Sequence, residues 1–114
     1  MFNDVWLFDT LTQRWTEIES HTESPPKRHG HSLTLVNETI YLFGGYGAGG
    51  RLNDTWKLDP VLLNWTFIDV SGSKPTRRSH HSTVGLKNKM IIFGGLGSSA
   101  AQDLWQFDIG IPCH

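Results

Sequence analysis

The chain repeats itself at a spacing of 50. Asn3-Asp4-Val5-Trp6-Leu7-Phe8-Asp9 recurs as Asn53-Asp54-Thr55-Trp56-Lys57-Leu58-Asp59, and again, one residue short of the full spacing, as Gln102-Asp103-Leu104-Trp105-Gln106-Phe107-Asp108. Trp15 returns as Trp65, and Gly44-Gly45 as Gly94-Gly95. Arg28, His31 and Ser32 return as Arg78, His81 and Ser82. A fixed period of this length is the signature of a repeat architecture, in which each unit buries its apolar surface against the next. Residues that recur with the period therefore serve the scaffold, and function is sought where the repeats differ.

Each period predicts four strands. The first covers Gly30 to Val36 and His80 to Leu86, followed by the turns Asn37-Glu38 and Lys87-Asn88. The second covers Thr39 to Phe43 and Lys89 to Phe93. Its consecutive apolar residues suit a strand buried on both faces. The double glycine is expected to end it, since glycine accepts φ > 0 and lets neighbouring chains approach. Variable loops follow, Tyr46 to Leu52 and Leu96 to Gln102. The third strand covers Asp4 to Phe8, Asp54 to Leu58 and Asp103 to Phe107, and the fourth Arg14 to Glu19 and Asn64 to Val70. Connectors with Pro25, Pro26 and Pro75 lead onward, because proline blocks ladder pairing.

Five Trp and twelve Gly among 114 residues suit many short strands with tight turns. A net charge of −1 gives no basic excess, which argues against a nucleic-acid partner. No apolar run approaches the roughly 18 residues that cross a bilayer, so no membrane insertion is expected. The first residues lack a signal-peptide pattern. The single Cys113 excludes an internal disulfide.

These residues resemble a run of kelch repeats from Asn3 to about Ile109. The likeness rests on Pro-x-x-Arg-x-x-His-Ser (Pro25, Arg28, His31, Ser32; Pro75, Arg78, His81, Ser82), the Gly-Gly pair, the aromatic-x-x-Asp strand end and the Trp. Leu58 departs from the pattern where Phe8 and Phe107 keep it. The resemblance implies an all-β fold of kelch-type β-propeller blades, each of four antiparallel strands. The strand count predicts an incomplete, open propeller over 1–114: a half blade at 3–20, a full blade at 28–70 and a three-stranded partial blade at 78–109. The remaining blades are expected in a longer chain or from a homo-oligomer, with an unstable remnant as the third reading. Trp6, Trp105 and their neighbours are expected to face outward at the open ends.

The structural set is Gly44, Gly45, Gly94, Gly95, Trp6, Trp15, Trp56, Trp65, Trp105, Arg28, Arg78, His31 and His81. Arg28 and Arg78 either pair with a neighbouring blade or line the propeller mouth. His29-x-His31 and His80-His81 occupy equivalent positions, and zinc needs three or four ligands. His31 and His81 are read as hydrogen-bonding at the start of the inner strand. Asp4, Asp54 and Asp103, like Asp9, Asp59 and Asp108, are read as turn formers that bond nearby backbone N–H groups. The Gly44 to Gly50 loop leads to a strand rather than a helix and lacks Lys-Ser/Thr, which excludes a phosphate loop.

The partner-binding candidates are the non-repeating loop residues Tyr46, Arg51, Lys27, His29, Arg77, Ser79, His80, Ser98 and Ser99. Tyr and Arg make good anchors because one side chain supplies both area and hydrogen bonds. No catalytic residues, metal ligands or cofactor are expected. The expectation is a scaffold module that binds a protein through loops on one propeller face. The alternative is part of a kelch-type enzyme (oxidase, isomerase or metal-dependent specifier-like) whose catalytic residues lie mostly elsewhere. A cytoplasmic location is favoured, while the sequons at Asn37, Asn53 and Asn64 leave an extracellular one open.

Overall fold

The computed structural model describes residues 4–18, 23–70, 72–97 and 100–109. Ser98, Ser99, Glu19 and Cys113 lie outside them. The described chain is all-β, with nine strands in three antiparallel sheets. The first sheet pairs β1 (Val5–Asp9) with β2 (Arg14–Ile18). The second has the order β3 (Ser32–Val36), β4 (Thr39–Gly47), β5 (Gly50–Asp59) and β6 (Asn64–Ile68). The third has β7 (Ser82–Leu86), β8 (Lys89–Leu96) and β9 (Ala100–Asp108). Two, four and three strands make an open array of propeller-type blades.

Local chemistry sets the turns. Asn37 and Glu38 both take positive φ, 49° and 64°, the backbone of a two-residue hairpin turn. Asp9 Oδ1 accepts from the N–H groups of Leu11 and Thr12, and Asp59 Oδ1 from those of Val61 and Leu62. These two aspartates form turns as the sequence suggests.

The double glycine corrects one expectation. It does not end the second strand. β4 and β8 run past it, and the ladder shifts register between Phe43 and Gly45 and between Phe93 and Gly95. Positive φ at Gly44 (66°) and Gly45 (108°) makes a bulge, which bends the strand without stopping its pairing. Most of the expected loop from Tyr46 to Leu52 is therefore strand: Tyr46 pairs with Arg51 and Gly47 with Gly50.

Two apolar cores lie between the sheets. Val36, Tyr41 and Phe43 meet Met90 and Ile92, with Trp105 and Phe107 packed against them. Leu42, Trp56, Leu58 and Trp65 meet Val5 of the first sheet. β4 is thus covered on both faces, which accounts for its consecutive apolar residues. Each such side chain contributes about 1.5–3 kcal/mol when fully buried. The inner strands approach closely: a Cβ on Gly85 would stand 2.7 Å from the Leu35 carbonyl oxygen.

The ends are apolar and open. Trp6 and Trp15 are 49% and 64% exposed, whereas Trp56 and Trp65, one period later, are buried. At the other end the expectation for Trp105 is corrected, since that ring packs inward. Val84, Leu86, Phe93 and Leu104 are the exposed residues there.

Candidate functional site

Arg28 is 4% exposed and Arg78 1%. Each side chain holds its own sheet together, while the Arg78 backbone also reaches the preceding sheet, its N–H donating to the Leu52 carbonyl (3.0 Å) and its carbonyl accepting from the Gly45 N–H (2.9 Å). The Arg28 guanidinium donates to both carboxylate oxygens of Asp54 (2.5 and 2.8 Å), to the Gly44 carbonyl (3.0 Å) and to the Pro26 carbonyl (3.1 Å). Arg78 repeats the pattern with Asp103, Gly94 and Thr76. The guanidinium fork suits a bidentate carboxylate. Asp54 and Asp103 are accordingly ion-pair partners rather than turn formers. Burial works to raise the Asp54 pKa, and hydrogen bonds from Arg28 and the Trp56 indole outweigh it, leaving the group lowered. Asp103 is lowered by the hydrogen bonds of Arg78 and then of Trp105.

These pairs anchor the connector beside the bulge, and the candidate face is built there. His29 N donates to the Tyr46 carbonyl (3.0 Å) and Tyr46 N to the His29 carbonyl (2.7 Å). The connector is thereby stitched to the protruding tip of the β4–β5 hairpin. The His29 and Tyr46 rings lie 5.6 Å apart. Across the strand pair, the Arg51 guanidinium carbon sits 5.8 Å from the Tyr46 ring centre, a cation–π contact. The His80 ring, from the third sheet, lies 6.3 Å from that of His29. Four candidates from three segments and two sheets thus form one exposed patch.

His80 stands where the previous repeat has Gly30, not His29. Their φ values, 57° and 68°, match. A left-handed histidine costs about 1–2 kcal/mol relative to glycine. The His80 N–H donates to the Gly30 carbonyl (2.8 Å), and its Nδ1 lies 3.1 Å from Ser79 Oγ. The period of 50 aligns His80 with Gly30, and the exposed histidine keeps the left-handed backbone of the glycine it replaces.

The other candidates divide. Lys27 and Arg77 are exposed. The Lys27 backbone lies against the hairpin tip, its carbonyl oxygen 3.1 Å from where a Gly47 Cβ would stand. Ser79 is 3% exposed and its backbone is bonded to Leu96 in both directions, so it supports His80 instead of facing a partner. His31 and His81 lie inward. Burial lowers the His31 pKa, and Arg28 adds to it. Burial lowers that of His81 to about 4. Among the described residues no group of three or more His, Cys, Asp or Glu is placed to hold a metal ion. The Asn53 side-chain amide donates to the Pro75 carbonyl (3.1 Å), so the repeat already uses that sequon.

Comparison with known proteins matches residues 1–111 to the KLHDC2/KLHL20/DRC7 Kelch-repeats domain. Shorter stretches resemble the dynein alpha chain of the flagellar outer arm from Chlamydomonas reinhardtii, 35% identical over 45% of this chain and 1% of that protein. The Rab9 effector protein with kelch motifs from Gallus gallus is 36% identical over 34% of this chain and 10% of its own length. Kelch domain-containing protein 2 from Homo sapiens is 33% identical over 38% of this chain and 11% of its own. The chain thus spans about a tenth or less of these relatives. With the blade sheets, the Arg–Asp pairs and the bulged double glycines in place, the chain belongs to the kelch-repeat family.

Proposed function

We propose that this kelch chain is a recognition module with no catalytic role of its own, binding a protein partner through the His29, Tyr46, Arg51 and His80 patch. The observation that carries the reading is the convergence of those four exposed side chains from two sheets on a backbone held rigid by Arg28 and the His29–Tyr46 bridge. Rigid anchors lose little entropy on binding. Lys27, Arg51 and Arg77 give the candidate set three cations and no carboxylate, which favours an acidic partner segment.

The test compares proteins captured by the immobilised chain with those captured by the Tyr46→Ala/Arg51→Ala double variant and by Lys57→Ala, an exposed control away from the patch. A protein held by the chain and the control, released by rising salt and lost with the double variant, supports the reading. Capture that survives the double variant sinks it.

A further inference from the structure

We propose that the patch of His29, Tyr46, Arg51 and His80, with Arg77 joined to it, takes a phosphorylated side chain of its peptide partner. The inference rests on the recognition reading and names the group at its centre.

The first observation is a set of cations with no anion beside it. Lys27, Arg51 and Arg77 are exposed, and among the described residues none of them pairs with a carboxylate. The backbone brings two of them together. The Arg78 N–H donates to the Leu52 carbonyl, so Arg77 and Arg51 each stand one residue from that bond. The segments that build the patch, residues 27–31, 46–52 and 77–81, contain no Asp or Glu. Asp54 and Asp103 are already filled by Arg28 and Arg78. Glu23 lies at the outer strand, accepting from the Phe67 N–H (3.4 Å), and Asp69 follows the end of β6.

The second observation is a donor held in place. Nδ1 of His80 is engaged with Ser79 Oγ, and among the described residues Nε2 has no partner. With the Ser79 hydroxyl donating to Nδ1, the neutral ring carries its proton on Nε2 and offers it to an anion. The ring is seated against Gly30, where a Cβ would stand 3.0 Å from its Cε1, and His29 flanks it. The Tyr46 ring holds Arg51 in the same way.

The number of donors separates phosphate from carboxylate. In this chain a single guanidinium takes both oxygens of an aspartate. Two guanidiniums and two imidazoles exceed what one carboxylate needs. A phosphoryl group offers three strong acceptor oxygens and a charge of about −1.5 to −2 at pH 7. Arginine clusters read such groups on peptides. The chain's net charge of −1 lacks the basic excess that a nucleic-acid backbone requires, which assigns the phosphate to a peptide.

The test passes three degenerate peptide pools over the immobilised full chain. One carries phosphoserine, phosphothreonine or phosphotyrosine at a fixed central position, one the unmodified residues and one glutamate. The phosphorylated pool should be retained roughly tenfold more tightly than the glutamate pool, and phosphatase should erase the difference. Arg77→Ala and His80→Gly should each weaken retention by about fivefold. His80→Gly removes the imidazole without strain, because glycine holds the same backbone at position 30, and its melting temperature should not fall. Equal retention of the phosphorylated and glutamate pools, both lost with Tyr46→Ala/Arg51→Ala, would overturn the phosphate and leave the recognition reading standing. Retention of either pool by that double variant would overturn both. No retention of any pool, undiminished retention by the Arg77 and His80 variants, or tighter binding to phosphatidic acid vesicles than to the phosphorylated pool would each overturn the proposal.

Discussion

His81 on the third sheet bonds to Ser32 on the second, Nε2 to Oγ at 2.9 Å. The adjacent His-Ser of each repeat is therefore not one local unit. At this joint the histidine of one repeat reaches back to the serine of the preceding one. Beside it the Thr34 and Thr83 hydroxyls also share a hydrogen bond, giving the inner strands two polar joints. Ser32→Ala should cost about 1 kcal/mol. Ser82→Ala, which has no such partner among the described residues, should be near neutral. Urea unfolding midpoints compare them, and equal losses would contradict the cross-sheet role.

Gly45→Val should damage folding far more than Arg51→Ala. Gly45 has a φ of 108°, and a Cβ there would stand 2.9 Å from the His29 carbonyl oxygen. Strain and clash together should exceed about 2 kcal/mol, against about 0.5 kcal/mol or less at the exposed arginine. Thermal melts followed by circular dichroism measure both. Comparable losses would undo the division between scaffold and patch.

Arg28→Ala should destabilise by about 3 kcal/mol, because it strips a largely buried carboxylate of its partner. Arg28→Lys should recover little of this. An ammonium cannot span both Asp54 oxygens and still reach the Gly44 carbonyl. Full recovery by lysine would show that charge alone matters there. Denaturant titration of the two variants decides.

Stability should fall with acid between the ordinary histidine range, near pH 6.5, and about pH 4. His81 is lowered to about 4 by burial, and His31 is lowered in the same direction. In that window the unfolded chain binds protons that the folded chain refuses, so stability rises with pH. Above it the contribution is fully present. Unfolding midpoints measured across the window should climb, and His81→Gln should flatten the climb. An unchanged slope in that variant would assign the dependence elsewhere.

The period of 50 made the fold legible, because every turn of a repeat needs the same chemistry. Asp9 and Asp59 close the same turn, and Asn37-Glu38 forms a two-residue hairpin. Strand runs, the apolar character of β4 and the open ends follow from local pattern. The double glycine was harder to read. Positive φ serves a stop and a bulge equally, and only the ladder beyond Gly45 distinguishes them.

The sequence by itself therefore determined the repeat, the four-stranded unit and the pool of residues free to differ. Tertiary structure alone decided which of these meet. It moved Asp54 and Asp103 from turns to arginine partners, split the His-Ser pair between blades and turned Ser79 inward. It also gathered His29, Tyr46, Arg51 and His80 on one face. The physical reason is that these contacts cross between strands or sheets. Spacing along the chain fixes which way a side chain points from its strand, but not what another strand brings to it.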